Sequence, residues 1–81
     1  MINLEVKTKL GPQEVVKRLK AFFGGEGLGL NISEESSQCL NFEGGGGYVT
    51  ATVCSEEEKT RVNLVTQEWE IQVKKFSSSL P

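Results

Sequence analysis

Apolar and polar residues alternate from the start of the chain. Ile2, Leu4, Val6 and Leu10, with Thr8, fall on one side, and Asn3, Glu5, Lys7 and Lys9 on the other. A period of two is the mark of a strand with one buried face, which predicts a first strand over residues 2–10. Gly11-Pro12 ends it, and Pro12 suits the first position of a helix because its missing N–H would have no partner there. Val15, Val16, Leu19, Phe22 and Phe23 then recur at helical spacing. A helix is predicted from Pro12 to Phe23, with Gly24-Gly25 as a left-handed stop.

Alternation then returns. Leu28, Leu30 and Ile32 predict a short strand with these three inward, and Glu34 to Ser37 a turn. Leu40 and Phe42 oppose Cys39, Asn41 and Glu43 on the next strand. Gly44 to Gly47 separate it from a further strand in which Val49, Ala51 and Val53 oppose Tyr48, Thr50, Thr52 and Cys54. Consecutive glycines between two alternating runs predict a flexible hairpin tip. Ser55 to Glu58 form a charged turn, after which Val62 and Leu64 face inward on the last strand.

Antiparallel neighbours must put their apolar sets on the same side of a sheet, and this fixes a register. Pairing Glu43 with Tyr48 sets Phe42 against Val49 and Leu40 against Ala51. Pairing Val53 with Val62 sets Ala51 against Leu64. One apolar face then runs through both hairpins.

The terminal run TQEWEIQVKKFSSSLP fits two patterns, since Trp69, Ile71 and Val73 alternate while Trp69, Val73, Phe76 and Leu80 keep helical spacing. A helix is predicted because a sheet with one apolar face needs helical cover. Thr66 is the expected cap, with Glu68 and Glu70 in the first turn, Lys74 and Lys75 in the last, and Glu70 to Lys74 as an i,i+4 pair.

The predicted fold class is α+β in two layers, strand, helix, four-stranded meander, helix, over the whole of residues 1–81 as one small domain. By order of elements this resembles the TATA-binding-protein-like and helix-grip fold group, which includes the START and polyketide-cyclase-like domains. The resemblance covers nearly the whole chain. It implies a five-stranded antiparallel sheet in the order 1-5-4-3-2 with both helices on one face, and an open sheet surface that binds a ligand or a macromolecule. The chain lacks the extra strands and the long C-terminal helix of the larger helix-grip proteins, and the basic sheet face of a DNA-saddling relative.

Composition narrows the chemistry. The chain has no histidine, and all 11 of its acidic residues are glutamates. That excludes a Ser-His-Asp or Cys-His nucleophile pair, a helical pair of zinc-binding histidines and an EF-hand calcium loop. A net charge of −2 gives no electrostatic reason to approach nucleic acid or anionic lipid. No run approaches the roughly 20 apolar residues of a membrane span, and the N-terminus has no continuous apolar stretch like that of a signal peptide. A cytoplasmic, non-catalytic protein without cofactor or metal is expected.

The remaining candidates are few. Cys39 and Cys54 share the outer sheet face, with Cys39 opposite Thr52. The thiols are then diagonal neighbours with Cα atoms roughly 7–8 Å apart, too far for a disulfide without a shift in register. Gly44 to Gly47 joins two strands where a phosphate loop would open a helix and carry a lysine. Trp69 is expected to pack on the sheet, and Glu56 to Glu58 to form a solvated turn. The outer face, carrying Asn41, Tyr48, Thr50, Thr52, Arg61 and Asn63, is less charged than an ordinary solvent face and is the candidate binding surface. Candidate partners are a second copy of the chain or another protein. The alternative is a small apolar ligand held between helices and sheet.

Overall fold

The computed structural model describes residues 2–25, 27–36 and 38–80. The elements are β1 (Ile2–Thr8), α1 (Pro12–Phe23), β2 (Asn31–Glu35), β3 (Cys39–Gly44), β4 (Gly47–Glu56), β5 (Lys59–Gln67) and α2 (Glu70–Ser79). The strands form one antiparallel sheet in the order β1-β5-β4-β3-β2. The predicted α+β class and sheet order are the ones observed.

The pairings follow from the alternation. Glu43 faces Tyr48, Phe42 faces Val49 and Leu40 faces Ala51 across the glycine hairpin, and Val53 faces Val62 and Ala51 faces Leu64 across the next. A slip of one residue would turn every one of these apolar side chains to solvent. Their inner face is covered by Val15, Leu19 and Phe23 of α1 and by Val73 and Phe76 of α2, all buried in one core with Leu30. Phe23 is central: its ring centroid lies 4.9 Å from that of Phe22, 5.6 Å from Phe42 and 5.6 Å from Phe76. A sheet with one apolar side needs such cover, and both helices lie on the same side, leaving the other open.

Several boundaries differ from the sequence pattern. β1 stops at Thr8, where the buried hydroxyl accepts the Leu10 N–H at 3.2 Å and turns the chain toward α1. Gly24 closes α1 with its N–H on the Lys20 carbonyl at 2.9 Å, but its φ of −77° is not left-handed. The stop comes from close approach: a Cβ on Gly24 would lie 2.3 Å from the Lys20 oxygen.

The second strand was expected over residues 28–32 and is instead Asn31–Glu35. Leu30 alone of the three expected inward residues is buried, ahead of the strand, while Leu28 and Ile32 are 38% and 41% exposed. Ile32 pairs with Phe42 on the edge of the sheet, beyond the cover of the helices. The register shifts between Ile32 and Glu34, so Glu34 and Glu35 extend the strand where a turn was expected. Glu35 thereby points to the helix side, and its carboxylate meets the Lys20 ammonium at 2.7 Å. Ser37, the end of that expected turn, lies outside the described residues.

Of the four loop glycines only Gly45 and Gly46 form the turn, with φ of +59° and +83°, while Gly44 and Gly47 pair as the last rung of the ladder. Two successive positive φ values are what a two-residue hairpin requires and what glycine adopts without penalty. The acidic turn is equally tight: β4 runs through Ser55 to Glu56, which pairs with Lys59 across Glu57 and Glu58.

At the C-terminus the helical reading holds, and Ile71, which a strand would have buried, is 66% exposed. Thr66 does not cap the helix. It lies inside β5, fully buried between Ile2 and Val49, and its hydroxyl donates to the Tyr48 carbonyl at 2.7 Å. Trp69 occupies the cap position, with no side-chain capping bond. Glu68 thus precedes the helix, and because α2 runs to Ser79 its last turn has no basic residue; Lys74 and Lys75 sit mid-helix.

Candidate functional site

The outer sheet face is built of cross-strand rows, because residues paired in register project to the same side. One row crosses all five strands: Asn3, Val65, Thr50, Asn41 and Glu34. A second carries Glu5, Asn63, Thr52 and Cys39. A third carries Lys7, Arg61 and Cys54, and a fourth Gln67, Tyr48, Glu43 and Asn31. All six candidate residues therefore lie on one surface, and all six are half-buried by their neighbours.

The centre of this face is uncharged and ordered by its own hydrogen bonds. The Thr50 hydroxyl donates to Asn41 Oδ1 at 2.6 Å, and Asn41 Nδ2 donates to Ser33 Oγ at 2.7 Å. The Ser33 hydroxyl donates in turn to the Asn41 backbone carbonyl at 3.2 Å. Ser33 is the residue that the register shift in β2 leaves between the paired Ile32 and Glu34. Alternation along residues 28–32 carried no sign of it, since a bulge is visible only against the partner strand.

Charge gathers at one corner. Arg61 Nε lies 3.7 Å from a Glu56 carboxylate oxygen and 3.9 Å from one of Glu5, with all three side chains about half exposed. A hydrogen bond with the Cys54 side chain, and then the two glutamates, push the Arg61 pKa further above its already high value. The guanidinium is a permanent cation there. Exposed pairs of this kind contribute little to stability, so the corner acts mainly as a charged rim to the neutral centre.

Cys39 pairs with Thr52 as the alternation implied, and neither Cys39 nor Cys54 is in a disulfide. Among the described residues no three cysteine or glutamate side chains are grouped to hold a metal ion. Trp69 is half-buried against the core, as expected of it, but its indole N–H is used at the hairpin, on the Gly44 carbonyl at 2.9 Å. The space between helices and sheet is filled by Phe22, Phe23, Phe42 and Phe76. The apolar depression lined by Arg18, Ala21, Phe22, Phe76 and Ser79 opens outward. What the outer face offers chemically is a broad surface of amide and hydroxyl donors and acceptors around Val65. No described helix is long and apolar enough to cross a membrane.

Neither a protein-family model nor a curated protein sequence matches this chain.

Proposed function

We propose that this protein is a non-catalytic interaction module that takes a protein partner on the open sheet face around Asn41, Thr50, Thr52 and Asn63, with Tyr48 and Arg61 at its margins. The observation that carries the reading is the ordered, uncharged centre of that face. Asn41, Thr50 and Ser33 hold one another in place, so little side-chain freedom remains to be lost on docking. Face-to-face stacking of two copies is one form that such docking takes. Nucleic acid is a poor partner for a chain of net charge −2, and two unpaired thiols suit a reducing compartment such as the cytoplasm. The alternative, a small apolar ligand between helices and sheet, would have to displace the packed phenylalanines.

The test is amide-shift mapping of the full chain, as a concentration series and against lipid vesicles, nucleotides and divalent metals. Perturbations with a captured protein, and any in the concentration series beyond the β1 edge, are expected to cluster on Asn41, Thr50, Thr52 and Asn63, and Thr50→Arg should abolish them. Shifts around Phe22, Trp69 and Phe76 with an apolar compound, and none on the face, would overturn the reading.

A further inference from the structure

The sheet has two edges, and they are not alike. β2 is five residues long, has a register shift and carries Glu34 and Glu35, which are the features that keep edge strands from pairing. β1 keeps an unbroken register with β5 over seven residues, from Ile2 opposite Thr66 to Thr8 opposite Thr60. It contains no proline, glycine or bulge.

The hairpins determine which backbone groups β1 presents. Glu56 and Lys59 flank a two-residue turn and are therefore a hydrogen-bonded pair. Alternation along β5 then directs Arg61, Asn63 and Val65 toward β4, and Thr60, Val62, Leu64 and Thr66 toward β1. Their partners Thr8, Val6, Leu4 and Ile2 spend their backbone groups inside the sheet. The N–H and C=O groups of Asn3, Glu5 and Lys7 point outward along the edge, and these three side chains are exposed.

We infer that β1 pairs antiparallel with β1 of a second copy, joining two sheets into one of about ten strands. The two-fold axis can fall opposite Leu4, Glu5, Val6 or Lys7, and at Leu4 it sets Asn3 opposite Glu5 with no opposite-charge pair. An axis at Glu5 sets Glu5 against Glu5 of the second copy, and an axis at Lys7 sets lysine against lysine. Both are penalised. The axis at Val6 sets Glu5 of each copy opposite Lys7 of the other, with Leu4 opposite Thr8 and Val6 against itself. This arrangement gives about four backbone hydrogen bonds and two opposite-charge pairs. It also covers the half-buried Leu4 and Val6, which form the open margin of the core. The surface is its own complement, so the pairing closes as a dimer. The dimer does not depend on a partner for the open face; it leaves that face free and doubles its extent.

Sedimentation equilibrium on the full chain between about 10 μM and about 1 mM tests this, because an edge contact of this size gives a weak dimer. Glu5→Lys and Lys7→Glu each create like-charge pairs and should each weaken the dimer about tenfold or more. An equimolar mixture of the two variants should form a heterodimer, and the E5K/K7E double variant should regain the homodimer. Circular dichroism checks that each variant folds, since Glu5 also lies 3.9 Å from Arg61. Amide exchange at Asn3, Glu5 and Lys7 should slow as concentration rises. A chain that stays monomeric at about 1 mM overturns the inference, as does a dimer indifferent to both charge variants and their mixture. Concentration-dependent shifts on Asn41 and Thr50, with Asn3, Glu5 and Lys7 unmoved, would assign self-association to the face and also overturn it.

Discussion

The Trp69 indole donates its N–H to the Gly44 carbonyl at 2.9 Å, and its ring lies against the turn glycine Gly45, where a Cβ would come within 2.7 Å of the Trp69 Cζ2 carbon. One side chain thus ties the start of α2 to the tip of the β3–β4 hairpin. Gly45→Ala meets both this ring and the cost of a positive φ, whereas Gly46→Ala meets only the backbone cost, because the space around Gly46 is open. Gly46→Ala should cost about 1 kcal/mol and Gly45→Ala clearly more. Trp69→Phe, which removes the hydrogen bond and part of the ring, should cost about 1–3 kcal/mol. Urea unfolding of the three variants checks the order.

Thr66 was expected at a helix cap and is instead a buried donor to the Tyr48 carbonyl. Thr66→Val keeps the shape and the β-branch but loses the bond, and should destabilise by about 0.5–1.5 kcal/mol. A lost helix cap would predict reduced helicity at the start of α2. The observed geometry predicts perturbation at Tyr48, with Glu70 to Val73 unmoved in amide shifts.

Glu68 is the one non-glycine residue with positive φ among those described, at +78°. It links β5 to α2, and the left-handed region costs an ordinary side chain roughly 1 kcal/mol. Glu68→Gly should therefore stabilise the fold by several tenths of a kcal/mol even though it removes a side chain. An unchanged or lower urea midpoint would show that the Glu68 side chain supplies more than its backbone costs.

The Glu70 carboxylate accepts hydrogen bonds from its own N–H and from the Glu68 N–H, and these hold its pKa below the ordinary value of 4.5. Folded-state depression has a definite sign: the carboxylate's contribution to stability is in place above the unfolded value and is lost as pH falls through the folded one. An NMR titration of the side-chain carboxyl should give a midpoint under 4.5. Glu70→Gln should flatten this part of the acid limb of the stability curve, lowering stability at neutral pH, where the ionised carboxylate contributes, and converging on the parent protein at low pH.

Phe23 touches Phe22, Phe42 and Phe76 at once and is fully buried. Phe23→Ala should cost about 3–5 kcal/mol, a large share of the roughly 4–12 kcal/mol expected of a chain this long. Phe22→Ala, at a half-buried ring, should cost less. Thermal unfolding of the two variants separates them.

Alternation and turn chemistry were enough to read the inner and outer residues of β3, β4 and β5 and their pairings from Glu43–Tyr48 to Val53–Val62. The reason is local. Each strand has one side that must be apolar, and consecutive strands joined by short loops admit few registers that satisfy both. The outer face and its candidate residues followed from the same parity. The strand order was suggested by resemblance to a fold group, and tertiary structure decided it by pairing β1 with β5.

What residues 28–36 do was not legible, because the shift at Ser33 exists only relative to Asn41 on β3 and a bulge leaves no mark in the period of its own strand. Thr66 and Trp69 were misplaced or incompletely read for a related reason. A threonine before a helical run satisfies a capping pattern, and an apolar ring satisfies a core pattern. Which acceptor each takes depends on a carbonyl distant in the chain, Tyr48 for one and Gly44 for the other. The sequence by itself determined which side of each central strand is buried, a constraint set by water and period two. Only the tertiary structure decided where polar atoms find their partners, because hydrogen bonds between Thr66 and Tyr48 or Trp69 and Gly44 join segments that no local pattern connects.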